Sequence, residues 1–268
     1  MHILFIGYGK TSRRVAKQLF EQGHQITTIS QSPKTDEFAT HLIQDVHQLN
    51  LTQIKPIDWA YVLLSPSQSS IEGYQQTYVD SVAPIVAALK QHPIQKIVVV
   101  SSTRVYGENK GEHTDDASCI QPVDEQGRLL RQMEQLYQQA FPKQCIIIRP
   151  TGIYGTSVAR MIKLAEITQS YPQIHYSNRI HIDDLARFLA KLIHVEHPEN
   201  SYIVSNNQPI PLHETIQWFQ RQLNLPELVL ESEALSGKRI YATRMEETGF
   251  KLEHEDCFGD YLQMLGNK

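Results

Sequence analysis

The chain has 268 residues, of which 41% are hydrophobic and 20% charged. These are the proportions of a folded domain, and they exclude a disordered or fibrous polymer. A net charge of −4 and an isoelectric point near 6.3 supply no basic surplus, so no nucleic-acid partner is expected.

The length admits one large α/β unit with a smaller appendage. Cys119, Cys145 and Cys257 are far apart and never in C-x-x-C spacing, so neither a disulfide framework nor a metal site is expected. The apolar N-terminal run stops at Gly7, too short for a signal-peptide core, and no stretch approaches the roughly 20 apolar residues of a membrane helix. The expectation is a cytoplasmic protein with no membrane partner.

In chain order, His2–Ile6, Gln25–Ile29, Ile57–Leu64, Ile94–Val100 and Gln144–Ile148 read as buried strands. They are apolar on both faces, as parallel strands covered by helices should be. Between them lie helical patterns at Ser12–Gln22, Ser69–Gln91 and Gly127–Ala140. Further on, Ala159–Gln169, Asp183–Val195 and Leu212–Leu223 read as helices, with a strand at Ser201–Ser205. Strand–helix alternation implies an α/β fold, a doubly wound parallel sheet with right-handed crossovers. Residues 1–155 are expected to form a dinucleotide-binding Rossmann domain. Residues 156–268 are expected to add the remaining sheet and helix segments and a small C-terminal substrate lobe, interwoven as one domain.

The first strand runs into Gly7-Tyr8-Gly9-Lys10-Thr11-Ser12 and then a helix. This is the context a dinucleotide fingerprint requires. Gly7 allows a sharp turn, Gly9 omits a side chain where a pyrophosphate would approach, and the helix N-terminus faces the anion. Ser12 replaces the third glycine and is small enough for close packing. A glycine turn that binds nothing is the alternative. Strand two ends Ile29-Ser30-Gln31-Ser32, with no Asp or Glu to accept from ribose hydroxyls, while Lys10, Arg13, Arg14 and Lys34 are near. NADP is therefore expected over NAD.

Three later blocks are Ser101-Ser102-Thr103-Arg104-Val105-Tyr106-Gly107, Arg149-Pro150-Thr151-Gly152-Ile153-Tyr154-Gly155, and Asn178-Arg179-Ile180-His181-Ile182-Asp183-Asp184-Leu185-Ala186. With the glycine loop, their order and spacing resemble the extended short-chain dehydrogenase/reductase superfamily, in its NAD-dependent epimerase/dehydratase branch. The resemblance implies a sheet of about seven strands with the cofactor across its carboxyl edge. It places Asp45 and Val46 near the adenine and Leu64 and Ser65 near the middle of the cofactor. It matches Ser102 to a hydroxyl that holds a substrate oxygen, although a serine at a strand end also caps backbone. Tyr106 is a candidate contact or proton donor, and Arg104, Asn178, Arg179 and His181 are candidate substrate contacts. His181 and Asp183 could instead orient the loop before a helix, with Asp183 as its N-cap.

The family's Tyr-x-x-x-Lys puts a phenol and an ammonium on one helix face, where the cation lowers the phenol pKa. Aligning Glu134-Gln135-Leu136 with the family's E-x-L puts Gln126 and Leu130 at those positions, and a shift of one gives Gly127 and Arg131. None of these can replace the pair. Tyr106-Gly107-Glu108-Asn109-Lys110 has the spacing but reads as loop. The expectation is an atypical NAD(P)-binding oxidoreductase or epimerase-like enzyme for an unidentified small molecule. The alternative is a non-catalytic NADP(H) sensor. Family members often pair through the helices at Ser69–Gln91 and Gly127–Ala140, which makes a homodimer possible.

Overall fold

Alternating buried strands and one-sided helices dominate the computed structural model, which describes residues 1–266. In chain order these are β1 (His2–Ile6), α1 (Lys10–Glu21), β2 (Gln25–Ser30), β3 (Thr40–Ile43) and β4 (Trp59–Val62). Next come α2 (Ile71–Tyr74), α3 (Val82–Leu89), β5 (Lys96–Val100), β6 (Lys110–Thr114), α4 (Glu125–Ala140) and β7 (Cys145–Pro150). They are followed by β8 (Gly152–Tyr154), α5 (Ala159–Ile167), β9 (Ser170–Tyr171), β10 (Ile174–Ser177), β11 (Arg179–His181) and α6 (Ile182–Lys191). The last are β12 (Ser201–Val204), β13 (Ile210–Pro211), α7 (Leu212–Gln222), β14 (Val229–Leu230), β15 (Leu235–Ile240), α8 (Thr243–Glu247) and α9 (Cys257–Gly266).

The main sheet has seven strands in the order β3-β2-β1-β4-β5-β7-β12. The β1–β2, β2–β3, β1–β4, β4–β5 and β5–β7 pairings are parallel. This is a Rossmann-type sheet. Its strand order reverses between β1 and β4, the place where such sheets open a crevice at their carboxyl ends. Every residue of β1, β4 and β7 is buried, so these strands are covered on both faces. Phe5 stacks on Tyr61 across β1 and β4 with ring centroids 4.9 Å apart. Helix α1 buries Ser12, Val15, Ala16 and Leu19, one stripe at helical spacing.

The uninterrupted helix expected over Ser69–Gln91 is broken in the structure. A π-helical turn at Gln75–Asp80 separates α2 from α3. Pro84 has no N–H to offer the Asp80 carbonyl and its ring crowds that carbonyl, so the regular ladder fails there. The Ser81 hydroxyl donates to the Thr77 carbonyl at 2.7 Å inside the irregular turn.

Two compact units divide the chain without a single cut. The first comprises 1–106, 120–149 and 186–202, and the second 107–119, 150–185 and 203–268. The first holds the glycine loop and most of the large sheet. The second contains a mixed four-stranded sheet, β13-β10-β15-β6. There β10–β15 and β15–β6 are parallel and β10–β13 is antiparallel. Its core gathers Tyr154, Val158, Ala165, Phe219, Cys257 and Tyr261. Two buried carboxylates pin its loops. Asp116 accepts from the Ile203 and Arg244 amides, and fully buried Asp184 accepts from the Glu253 and His254 amides. Among the described residues no helix is long and apolar enough to cross a membrane.

Candidate functional site

At the end of β1 the chain turns at Gly7 with φ +88°, a left-handed value that favours glycine. A Cβ on Gly7 would also overlap the Leu63 carbonyl oxygen, so β4 approaches too closely for any side chain. Gly9 differs: it is extended, at φ −98°, and a Cβ there would meet nothing within 4 Å. The need for glycine at position 9 therefore does not come from the protein's own packing. Helix α1 starts immediately afterwards with no side-chain cap and no acidic residue in its first turn. The N–H groups of its first turn thus meet no capping side chain, and no carboxylate of that turn offsets its positive dipole end. Ser12 is buried and donates to the Gly7 carbonyl at 2.8 Å, which ties the helix to the loop. Lys10 is exposed and Thr11 half-buried at the start of the helix.

The loop opens onto a cavity of about 400 Å³. Gly7, Gly9, Ser30, Gln31, Val46, Leu64 and Ser65 line it, so most of the expected cofactor residues come together. Tyr78 donates to the Leu64 carbonyl at 3.5 Å, and burial pushes its phenol up to about 12. Asp45 does not line the cavity. Its carboxylate turns to His47, accepting from the backbone N–H and the imidazole Nδ1, both at 2.9 Å. These contacts hold Asp45 below the usual carboxylate range and raise the His47 pKa. His47 itself lines the cavity, its Nε2 3.0 Å from the Gln76 carbonyl oxygen.

The expectation that no carboxylate stands near the end of β2 is corrected. Asp36 folds back from the loop after β2, accepting from Tyr8 Oη at 2.9 Å and Arg13 Nε at 2.7 Å. Its place in sequence, six residues beyond Ser30, hid it, because only the loop's path returns it to α1.

At the end of β5, half-buried Ser102 accepts from the Arg104 amide at 3.2 Å and caps a short 3-10 turn. Arg104 donates through Nε to both oxygens of Asp124, at 3.0 and 2.9 Å, and through Nη2 to Gln126 at 3.3 Å. Asp124 also caps α4 by accepting from the Gly127 amide at 2.7 Å. At the alternative tyrosine position a Cβ on Gly127 would lie 2.9 Å from the Arg104 carbonyl oxygen, and Leu130 is buried. This helix face has no room for a tyrosine at position 127 and no titratable proton at position 126.

Tyr106 does not line the glycine-loop cavity. It is 1% exposed and its oxygen accepts from Arg149 Nη1 at 3.0 Å. Arg149 also donates to Glu134 from Nε at 2.9 Å and Nη2 at 2.8 Å. Burial opposes the Arg149 charge, but Glu134 and Tyr106 outweigh it and hold the guanidinium protonated. Tyr106 was read from the Val105-Tyr106-Gly107 block, whereas its burial is set by a buried ion pair that the sequence spreads over α4 and β7.

In the second unit, Asn178 is consumed by structure. Its Nδ2 donates to the Lys238 carbonyl and its Oδ1 accepts from the Ile240 amide, both at 2.8 Å. Arg179 does not line an open mouth either: it is 5% exposed and donates to Thr215 Oγ1 at 2.6 Å. His181 is buried, accepts from the Asp183 amide at 3.3 Å and stacks on His254 with centroids 3.5 Å apart. Burial lowers its pKa, with the nearby His254 adding to the effect. Asp183 lies in the first turn of α6 rather than at its cap.

His254 and Asp260 complete this cluster, with His254 Nδ1 2.8 Å from Asp260 Oδ1 and Tyr154 donating to Asp260 Oδ2 at 2.6 Å. Ligand atoms of His181, His254 and Asp260 come within 4.8 Å of one another. In-plane lone pairs of stacked imidazoles run side by side and do not converge as metal ligation needs. Sequence reading missed His254 and Asp260, which lie in a C-terminal stretch without a recognisable block.

A Rossmann sheet with a glycine turn, an uncapped helix N-terminus and a cavity at the strand-order reversal defines a dinucleotide-binding protein of the doubly wound class. The NAD dependent epimerase/dehydratase family matches residues 7–204, and the chain belongs to that family. Protein YeeZ of Escherichia coli K12 is 26% identical over 204 residues, covering 74% of this chain and 72% of YeeZ. A candidate NAD-dependent epimerase/dehydratase from Methylobacillus flagellatus is 27% identical, with TM-score 0.81 over 99% of this chain and 98% of its own. Human epimerase family protein SDR39U1 (isoform 2), solved with NADPH, shares the fold at 16% identity and TM-score 0.79, with both chains fully covered.

Proposed function

We propose that this protein is an NADP(H)-preferring oxidoreductase or epimerase-like enzyme acting on a small molecule. The observation that carries the reading is Gly9, whose missing side chain serves no contact within the protein and faces the uncapped start of α1. Those N–H groups would hold a pyrophosphate, Ser30 and Gln31 the adenosine ribose, and Leu64 and Ser65 the middle of the dinucleotide. When bound, the nicotinamide supplies hydride transfer. The chain's own part is orientation: Ser102 offers a hydroxyl to a substrate oxygen, and Arg104, fixed by Asp124 and Gln126, offers a cation beside it. Lys10, Arg13 and Lys34 favour the phosphorylated cofactor. The solved neighbours with NADPH in human SDR39U1 and with UDP-glucose and NAD in MoeE5 support a nicotinamide dinucleotide as the ligand.

The test has two stages. Calorimetric titration is expected to give tighter binding of NADPH than NADH, and tighter NADH binding refutes the preference. Turnover of nicotinamide absorbance is then screened over alcohols, ketones and sugar nucleotides, and should be lost in Ser102→Ala. Failure of both cofactors to raise the melting temperature at high excess leaves the glycine loop purely structural.

A non-catalytic dinucleotide sensor is the second reading. Gly127 packed on the Arg104 carbonyl and the buried Leu130 favour it, because no tyrosine–lysine pair can form there. A sensor binds cofactor, turns over nothing in the panel and keeps its cofactor affinity in Ser102→Ala.

A further inference from the structure

A second cavity in the first unit, of about 380 Å³, lies along one face of β2 and β3. Strand alternation puts Gln25 and Thr27 of β2 on that face with Thr40 and Leu42 of β3, and His2 of β1 pairs in register with Gln25. A crossover helix would bury such a face under apolar side chains. The β3–β4 connection instead forms a single 3-10 turn at Val46–Gln48 and a loop, and the face keeps a polar floor. His2 and Thr27 are 6% and 3% exposed, with His2 Nε2 2.8 Å from Thr27 Oγ1 and His2 Nδ1 3.0 Å from the Pro56 carbonyl oxygen. Leu42 and Ile54 are half-buried on its walls, and Gln53 and Lys55 are exposed at its rim. No Asp or Glu lines the cavity, and Lys55 is its one Lys or Arg. Gln44, just past β3, lines both this cavity and the one at the glycine loop. Its Nε2 donates to the Asn50 carbonyl at 3.0 Å and its Oε1 accepts from the Asn50 amide at 2.9 Å. This clasp closes residues 44–50 into a loop that carries Val46 and His47 on the wall of the first cavity and Asn50 on the wall of the second.

We propose that this second cavity is a regulatory site for a small organic monocarboxylate, and that the Gln44–Asn50 clasp couples its occupancy to the dinucleotide cavity. The coupling rests on the dinucleotide reading above, whereas the anion site stands apart from it. The volume lies at the small end of organic-ligand sites, which run from about 300 to 1,000 Å³. The lining selects the charge. A cation would meet no carboxylate to offset its lost hydration. A phosphomonoester of about −1.5 to −2 charges would be only partly neutralised by one ammonium. A single carboxylate matches Lys55, and the side-chain amides of Asn50 and Gln53 can donate to its oxygens. Leu42 and Ile54 offer an apolar body a contact away from water. A ligand held against Gln44 and Asn50 favours the clasped loop, which is the arrangement that sets Val46 and His47 on the first cavity. Carboxylate and dinucleotide therefore favour the same loop state, and each tightens the other by the same factor.

Calorimetric titrations of the full chain would use benzoate and hexanoate as probes, benzamide and hexanamide as their uncharged counterparts, and inorganic phosphate as a control. At least one carboxylate is expected to bind with a Kd below about 5 mM, and its amide about fivefold more weakly through loss of an exposed ion pair. Lys55→Gln should bring the carboxylate down to the level of its amide and leave NADPH affinity within about twofold of wild type. A saturating carboxylate should tighten NADPH about fivefold, and NADPH should tighten the carboxylate equally. Gln44→Ala should bring that coupling below about twofold. The proposal is overturned if neither carboxylate binds at about 10 mM, if Lys55→Gln leaves carboxylate affinity unchanged, or if phosphate binds as tightly as the carboxylate. A wild-type coupling within about twofold of unity also overturns it, as does a carboxylate that weakens NADPH by competing for the start of α1. Those outcomes leave the dinucleotide reading standing. No binding of either NADPH or NADH overturns that reading and the coupling together, and the Lys55 comparison then decides the anion site by itself.

Discussion

Replacing Gly9 with alanine separates what the glycine loop does for folding from what it does for a ligand. The backbone at Gly9 is extended, at φ −98° and ψ −164°, and a methyl group there would touch no protein atom within 4 Å. Alanine accepts these angles, so Gly9→Ala should leave the free protein's stability unchanged or raise it by up to about 1 kcal/mol through the unfolded chain. A bound pyrophosphate would occupy the same space, and the added methyl would push it off the first N–H groups of α1. At a cofactor concentration 100 times its Kd, binding stabilises by about 2.7 kcal/mol, or roughly 5 °C for a chain of this length. A hundredfold loss of affinity cuts this to about 0.4 kcal/mol, or under 1 °C. Thermal unfolding with and without NADPH measures both terms. Retention of the full shift refutes the pyrophosphate assignment. A fall of more than about 1 kcal/mol without ligand refutes the claim that position 9 is free of packing constraint. Gly7→Ala is the contrasting control: its left-handed φ and overlap with the Leu63 carbonyl should cost about 2 kcal/mol or more without any ligand.

Glu134→Leu leaves Arg149 buried without its carboxylate and should destabilise by about 3–5 kcal/mol in urea unfolding, whereas adding Arg149→Met should recover much of the loss. A double variant as unstable as the sum of the singles contradicts that account. Gly155→Ala places a Cβ into the His181 imidazole at φ +101°, and should cost about 2 kcal/mol or more. A loss below about 0.5 kcal/mol in the same assay would show that His181 can move aside. Burial and the stacked His254 lower the His181 pKa below its ordinary 6.5, so the unfolded chain takes up the proton first. The nearby carboxylates Asp183, Asp184 and Asp260 oppose that shift without overcoming it. The His181 contribution to stability is therefore complete above about pH 6.5 and is lost as pH falls through its lower folded value. His181→Asn should flatten that part of the stability–pH curve, and an unchanged slope would refute the assignment.

Much of the fold was legible because parallel strands buried on both faces and amphipathic helices leave local patterns. All five of the strands expected before residue 150 appear within a few residues of their expected limits. The glycine loop was legible for the same reason: strand, turn and helix are contiguous, and Gly7 and Gly9 lie within a few residues of the helix they serve. Strands β6, β10 and β15 were not recovered, because short strands of a mixed sheet carry little periodicity and gain their partners only from distant segments.

The chain's own residues, by their order alone, determined most of the sheet, the glycine turn and the lack of a Tyr–Lys pair on α4, since each is a property of neighbours in sequence. Tertiary structure alone decided which side chains remain available. Burial against Arg149 turned Tyr106 inward, two hydrogen bonds to β15 engaged the Asn178 amide, and the returning loop set Asp36 on Arg13. Availability depends on partners brought together across tens of residues, and a polar group's chemistry follows the partner it meets rather than its place in the chain.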